Sequence, residues 1–229
     1  MKYEVIIFDA DETLFDFKSS EKDAFKNTML EFAIEYDENY HFKIYQDINT
    51  TIWKEFEDGL ITQQKLKVER FKRLLEKLET KLDEIELAKS YTKHLSQSSL
   101  LYDFSIDLLE NLHKEHKLCL ITNGLTDIQD NRIRKSLIAK YFEDIVISEE
   151  VMVAKPDPRI FEHTLNDLKY TDKSKVLMIG DSLTCDIQGG INFGIDTCWY
   201  NPSKITNSTG IKPTYEISSF TQLKDILEK

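Results

Sequence analysis

A short apolar run near the start of the chain, followed directly by two acidic residues, constrains the fold more than any other feature. Residues 5–8 read Val-Ile-Ile-Phe, a composition typical of a strand that is buried on both faces. Asp9 and Asp11 follow at once, so we expect them at the carboxyl end of that strand. Ligands bind beyond the carboxyl ends of the strands in an open α/β sheet. Two carboxylates that repel each other there are unfavourable unless a cation neutralises them and one of them attacks an electrophile.

Strand-like and helix-like segments alternate through most of the chain. The strand-like runs lie near residues 3–8, 117–122, 144–147, 175–180, 195–199 and 214–217. The helix-like segments lie near residues 105–116, 126–140, 157–169 and 183–193. Such alternation predicts an α/β fold with a Rossmann-like parallel sheet and helices on both of its faces.

Residues 18–98 have a different pattern, which predicts helices only. Apolar residues recur there at helical spacing, as in Phe25, Met29 and Phe32. The stretch has no proline and only one of the seven glycines, Gly59, which favours a helical bundle with short turns. An excursion of ~80 residues is too long for an ordinary loop. We therefore predict a core formed by 1–17 and 99–229, and a helical cap at 18–98 that begins just after the acidic pair and can act as a lid.

Composition excludes several classes of protein. The net charge of −11 argues against a broad nucleic-acid interface, which needs basic patches. No apolar run approaches the ~20 residues that a membrane-spanning helix needs, and the chain enters a strand without a signal-peptide pattern. The three cysteines, Cys119, Cys185 and Cys198, are odd in number and lack metal-type spacing, which indicates reduced thiols. We expect a cytoplasmic protein whose partner is a small molecule, without nucleic-acid or membrane partners.

Further polar groups stand at the ends of predicted elements. They are Thr122, Asn123 and Gly124 after the run 118–121, Lys155 before Pro156, and Asp181 with Asp186 after the run 176–179. Together with Asp9 and Asp11, this set resembles the haloacid dehalogenase (HAD) superfamily of aspartate-nucleophile phosphohydrolases. The motifs occur in the order and spacing of that family, and the resemblance spans residues 3 to about 200.

The resemblance implies roles for four acids. Asp9 is the expected nucleophile, which takes the phosphoryl group as an aspartyl-phosphate. Asp11 would protonate the leaving oxygen and then activate the hydrolytic water. The implied ligands of Mg²⁺ are the carboxylate of Asp9, the main-chain carbonyl of Asp11 and the carboxylate of Asp181. Asp186 is expected to orient Asp181 or the metal-bound waters, although the start of a helix would also favour an acid there.

The other motif residues would hold the phosphoryl group. Thr122 and Asn123 are expected to bind its oxygens through hydroxyl, amide and main-chain N–H groups. Gly124 would let the backbone approach closely. Lys155, which precedes Pro156, is expected to neutralise charge on the phosphoryl group and on the nucleophile. A tripeptide such as Thr-Asn-Gly is by itself an ordinary turn, so its meaning depends on the other motifs.

The residues within and around the motifs narrow the range of expected substrates. Glu12 stands where many members of the superfamily carry glycine, and this departure resembles one subgroup, the pyrimidine 5′-nucleotidases that act on non-canonical nucleotides. Other stretches that resemble this subgroup are 8–17, 121–124, 146–151, 153–156 and 186–192, with Cys198 and Trp199 beyond. The implied reaction is hydrolysis of a nucleoside 5′-monophosphate. By its position, Phe17 is expected to stack on a base; Trp53 and Phe56 are weaker candidates, because an aromatic residue on a helical face more often serves packing.

Other functions remain open at this point. A sugar-phosphate phosphatase or phosphomutase would use the same scaffold, since fold and motifs do not determine the substrate. A dehalogenase is disfavoured, because its attack on carbon needs neither magnesium nor a second acid at Asp11. A phosphoacceptor module of the receiver type, or a silent binding protein, would share part of the acid and lysine set but would show no turnover.

Overall fold

The computed structural model describes residues 2–228 of the chain. Six strands form one sheet: β1 (Val5–Phe8), β2 (Lys117–Thr122), β3 (Asp144–Ile147), β4 (Val176–Gly180), β5 (Asp196–Tyr200) and β6 (Tyr215–Ile217). The strands lie in the order β3-β2-β1-β4-β5-β6, and every neighbouring pair is parallel. The predicted α/β fold with a parallel sheet is confirmed.

Both faces of the sheet are buried, which explains the uninterrupted apolar runs in its central strands. Ile6 and Phe8 of β1 belong to an apolar cluster on one face. Val5 and Ile7 belong to a second cluster on the other face. Successive side chains of a strand point to opposite faces, so a strand covered on both sides needs an apolar residue at every position.

Ten α-helices accompany the sheet in the described residues: α1 (Phe17–Glu31), α2 (Lys43–Glu57), α3 (Gln63–Lys77), α4 (Glu84–Ser96), α5 (Ser105–Leu112), α6 (Thr126–Gln129), α7 (Ser148–Val151), α8 (Pro158–Asp167), α9 (Gln188–Phe193) and α10 (Leu223–Leu227). Helix α8 begins as the sequence predicts, because the Asp157 side chain accepts a hydrogen bond from the N–H of Arg159 (2.9 Å) and Pro158 is the first helical residue.

The predicted continuous helix at 126–140 is wrong. Helix α6 ends at Gln129, a π-helical turn follows over Asp130–Arg134, and a short 3₁₀ turn covers Ala139–Tyr141. A π-helical turn is wider than an α-helical one and often occurs at functional sites. Here it carries the buried side chain of Arg132, whose charge has partners outside the segment.

The chain divides into two compact units, residues 1–17 with 100–229 and residues 18–99. The first contains the whole sheet. The second contains most of α1, then α2, α3 and α4, and none of its residues is in a strand. Aromatic rings fill its interior: Phe25 stacks on Tyr45 with centroids 4.5 Å apart, and Tyr45 stacks on Phe71 at 5.9 Å. None of the helices in residues 2–228 is both long and apolar enough to cross a membrane.

Candidate active site

The carboxyl ends of β1, β2 and β4 lie side by side, and the polar motif residues follow them. Phe8 at the end of β1 is paired with Leu120 of β2 and with Ile179 of β4. The N–H of Asp9 donates to the carbonyl of Ile179 (2.9 Å), so Asp9 still belongs to the sheet edge. Strand β1 is also the point at which the sheet order reverses, where α/β sheets open a crevice for ligands.

Lys155 connects the first and last motifs of the site. Its Nζ donates to Asp9 Oδ1 (2.6 Å) and to the carbonyl of Ile121 (2.7 Å), and lies 2.7 Å from Asp186 Oδ1. The lysine is only 2% exposed and Asp9 only 8% exposed. A buried ammonium group between two carboxylates fixes the position of both, because leaving either charge without its partner in the interior is costly.

The charges of this cluster shift one another's pKa values. Burial raises the pKa of Asp9 to about 7; Lys155 opposes this rise, whereas Asp186 and Asp11 add to it. Burial lowers the pKa of Lys155, but the attraction of Asp186 and Asp9 outweighs burial and leaves the pKa above its ordinary value. One ammonium group is thus too little positive charge for the acids around it.

Three carboxylates meet at a distance suited to one metal ion. Oxygen atoms of Asp9, Asp181 and Asp186 lie within 4.8 Å of one another. Burial raises the pKa of Asp181 well above its ordinary value, and repulsion from Asp9 and Asp186 adds to the effect. A set of hard oxygen donors with excess negative charge fits Mg²⁺, which prefers carboxylates and water.

The Asp181 end of the site is held by contacts from its own loop and from β5. The indole N–H of Trp199 donates to the main-chain carbonyl of Asp181 (2.8 Å). Asp186 Oδ2 accepts from the N–H of Ser182 (2.9 Å). A Cβ at position 180 would lie 2.2 Å from Asp186 Oδ2, so Gly180 leaves the space that this buried carboxylate occupies.

Thr122 and Asn123 lie at the end of β2, but their side chains already have protein partners. The Asn123 amide donates to the carbonyl of Lys155 (2.7 Å) and accepts from the N–H of Lys155 (2.8 Å). The Thr122 hydroxyl accepts from Gln129 Nε2 (3.0 Å). The structure therefore brings both residues to the sheet edge, where the Asn123 side chain fixes the backbone that carries the lysine.

Asp11 lies beside the cluster of Asp9, Lys155 and Asp186, and its carboxylate binds two side chains from another segment. Its Oδ1 accepts from Arg132 Nη1 (2.9 Å) and its Oδ2 accepts from Gln129 Nε2 (2.9 Å). Sequence reasoning missed both partners. Gln129 and Arg132 are three residues apart and so lie on one side of the predicted helix that follows the Thr-Asn-Gly motif. This spacing could have identified them as partners of the site.

The backbone at position 12 has a conformation that favours glycine over the glutamate present there. Glu12 has φ = 61°, in the left-handed region that glycine adopts without strain. Glycine would therefore suit this position without backbone strain. The Glu12 carboxylate accepts a hydrogen bond from the Tyr102 hydroxyl (3.4 Å), and its charge helps to raise the pKa of Asp181.

The sheet topology and the acids at its carboxyl edge agree with the family that the sequence comparison identifies. The family model of haloacid dehalogenase-like hydrolases matches residues 3–194, and the chain belongs to this family. The chain is therefore an enzyme of the HAD-like hydrolases.

Individual relatives extend over the whole chain. The chain is 38% identical to pyrimidine 5′-nucleotidase PynA of Streptococcus pneumoniae over 230 residues, which cover 100% of this chain and 97% of that protein. It is 34% identical to pyrimidine 5′-nucleotidase YjjG of Escherichia coli, with 100% of each chain covered. The crystal structure of YfnB of Bacillus subtilis, bound to magnesium, has a TM-score of 0.93 at 33% identity, with 100% of each chain covered.

Proposed function

We propose that this enzyme is a Mg²⁺-dependent phosphomonoester hydrolase that acts on nucleoside 5′-monophosphates, with pyrimidine nucleotides as its preferred substrates. The observation that carries the proposal is the contact of Lys155 with both Asp9 and Asp186 at the carboxyl edge of the sheet. Full-length similarity to two proteins named pyrimidine 5′-nucleotidases supports the substrate class. The free, buried cysteines support a reducing compartment, in agreement with a cytoplasmic enzyme.

The proposed reaction has two steps at one phosphorus atom. Asp9 forms a bond to phosphorus while the bond to the leaving oxygen breaks, and Asp11 gives that oxygen a proton. Water then attacks the aspartyl-phosphate, Asp11 takes a proton from the water, and the Asp9–phosphorus bond breaks to release inorganic phosphate. One acid serves both steps because the second step reverses the proton flow of the first.

Asp9 and Asp181 would hold the metal through their carboxylates, and Asp11 would hold it through its main-chain carbonyl. Asp186 accepts a hydrogen bond from the N–H of Ser182 and lies close to the ammonium group of Lys155. We assign it the role of orienting the Asp181 loop and Lys155. When bound, Mg²⁺ would offset the charge on the carboxylates and on the phosphoryl oxygens. Lys155 keeps Asp9 Oδ1 in place, and Thr13 donates to Asp9 Oδ2 (3.2 Å), so the nucleophile has a fixed orientation.

We expect Mg²⁺ to raise the thermal unfolding temperature more at pH 8 than at pH 6. The folded chain holds a proton on Asp9 up to a pKa of about 7, against an ordinary value of 3.8. The stabilisation from this raised pKa is therefore complete below pH 3.8 and is lost as the pH rises through about 7. Mg²⁺ binds the ionised carboxylates and restores stability at the higher pH.

Differential scanning fluorimetry with Mg²⁺ or EDTA measures this effect. At a Mg²⁺ concentration about 100 times Kd and pH 8, we expect a rise of about 5 to 10 °C. Asp181→Asn should remove most of the rise, whereas Asp172→Asn, at an exposed position before β4, should leave it intact. Equal shifts at the two pH values would contradict the raised pKa of Asp9 on which this expectation rests.

The substrate proposal is tested with a panel of phosphomonoesters ranked by kcat/KM. The panel contains UMP, dUMP, TMP and CMP, the purine nucleotides AMP and GMP, and the sugar phosphates glucose 6-phosphate and ribose 5-phosphate. We expect pyrimidine nucleotides to exceed the others by about tenfold or more, the discrimination that a few pocket contacts supply. A sugar phosphate at the top of the ranking would instead establish the sugar-phosphate phosphatase alternative.

A further inference from the structure

Two side chains from one segment bind both oxygens of the Asp11 carboxylate. Arg132 Nη1 lies 2.9 Å from Oδ1, and Gln129 Nε2 lies 2.9 Å from Oδ2. Both partners come from the segment that turns from α6 into the π-helical turn, far from Asp11 in the sequence. A carboxylate with a separate donor on each oxygen has its plane fixed as well as its position.

The Gln129/Arg132 pair is itself held in place. Arg132 Nη1 donates to Gln129 Oε1 (2.7 Å), and Gln129 Nε2 donates to the Thr122 hydroxyl (3.0 Å). A Cβ at position 124 would lie 2.5 Å from Gln129 Cγ, so Gly124 makes room for this side chain. The pair therefore connects the Asp11 loop to the end of β2.

Arg132 is fully buried, with 0% of its surface exposed. Its guanidinium carbon lies 4.9 Å from the centroid of the Phe17 ring and 5.5 Å from that of Phe15. The sequence suggested Phe17 as a stacking surface for a base, but in the structure this ring packs on the arginine. Cation–π contacts and the carboxylate together offset the cost of removing the guanidinium from water.

We propose that Arg132 and Gln129 are positioning residues that hold the Asp11 carboxyl group in the orientation needed for proton transfer to the leaving oxygen. The inference rests on the proposed role of Asp11 in phosphomonoester hydrolysis. Both residues bind the Asp11 carboxylate directly, one on each oxygen. We therefore expect their effect on the reaction to pass through Asp11.

Leaving-group dependence distinguishes this role from a purely structural one. p-Nitrophenyl phosphate releases a weakly basic anion, which departs readily without a proton. Phenyl phosphate releases the more basic phenolate, whose oxygen must be protonated as it departs. A misplaced general acid should therefore slow the hydrolysis of phenyl phosphate selectively. Because kcat/KM reports the first step, in which the leaving oxygen departs, we expect Arg132→Met and Gln129→Met to lower kcat/KM for phenyl phosphate by about 10- to 100-fold. The kcat/KM for p-nitrophenyl phosphate should fall by less than about threefold. Arg132→Lys, which keeps one charged donor, should restore part of the loss.

Asp11→Asn provides the second test. If the pair acts through Asp11, adding Arg132→Met or Gln129→Met to Asp11→Asn should cause no further loss with phenyl phosphate. Arg134→Met is the matched control, because Arg134 belongs to the same turn but pairs with Glu150 on the surface (2.6 Å). We expect this control to retain wild-type kcat/KM with both compounds.

Equal losses of kcat/KM with the two aryl phosphates, or additive losses in the double variants, would overturn the proposal. If Arg132→Met does not fold, Gln129→Met decides the question, since it leaves the buried charge pair of Arg132 and Asp11 in place. The aryl phosphates make this test independent of the natural substrate. Wild-type enzyme that cleaves both but prefers sugar phosphates over nucleotides would refute the nucleotidase proposal alone.

Discussion

Asp9→Asn is expected to abolish phosphatase turnover while the protein stays folded. An amide oxygen does not form the acyl-phosphate bond, so the covalent route is lost, and we expect kcat to fall by on the order of 10⁴-fold or more. The fold should tolerate the change because the amide has nearly the shape of the carboxylate. Stability without metal should even rise, since the pKa of the buried carboxyl is raised to about 7 and the substitution removes its repulsion from Asp186 and Asp11.

The measurement combines phosphate release under saturating Mg²⁺ with thermal unfolding in EDTA. Asp172→Asn is the matched control, because Asp172 is exposed at the amino end of β4, on the opposite edge of the sheet from Asp9. It caps a 3₁₀ turn, a position at which asparagine is nearly as good as aspartate. Near-normal activity of Asp9→Asn would show that another group is the nucleophile.

Lys155→Met is expected to lower both activity and stability. The substitution leaves the buried carboxylates of Asp9 and Asp186 without their cation, and removing one partner of a buried pair typically costs about 3–5 kcal/mol. The rate should fall by about 10²- to 10⁴-fold, because a fixed positive charge beside the phosphoryl group is lost and the nucleophile loses its donor. Chemical denaturation and steady-state kinetics measure the two effects separately.

The metal dependence of this loss is the more specific test. Because Mg²⁺ and Lys155 would offset the same negative charges, we expect Mg²⁺ to stabilise Lys155→Met by more than it stabilises the wild type. Lys175→Met is the matched control: its ammonium group pairs with Glu4 at a site about 43% exposed, where water screens the ion pair and its loss should change stability little. A loss below about 1 kcal/mol for Lys155→Met would contradict the charge balance described above.

These expectations share one electrostatic arrangement. The site gathers Asp9, Asp181 and Asp186 around a single lysine, and burial of the acids raises the pKa of Asp9 and Asp181. Such an arrangement is unfavourable by itself and would become favourable if the proposed cation and phosphoryl group bound there. The change in stability when Mg²⁺ is added therefore tests the proposed function as directly as the rate of turnover does.

Much of the fold was readable from local sequence. The apolar runs of β1, β2 and β4 gave the strands within a residue or two, because strands covered on both faces need uninterrupted apolar side chains. The structure of segment 126–140 could not be predicted from the sequence, because no local sequence pattern indicates a π-helical turn. Its shape depends on a buried arginine whose partner, Asp11, lies 121 residues away.

The sequence by itself determined the parallel sheet and the alternation of strands with helices. It also placed Asp9, Asp11, Thr122 and Asp181 at strand ends. These features depend on side-chain periodicity over a few residues. Only the tertiary structure decided that Lys155 reaches both Asp9 and Asp186, that Asn123 binds the backbone of Lys155, and that Gln129 and Arg132 hold Asp11. Those contacts join segments that are distant in the chain, and their geometry is fixed by the packing of whole strands and helices rather than by any local pattern.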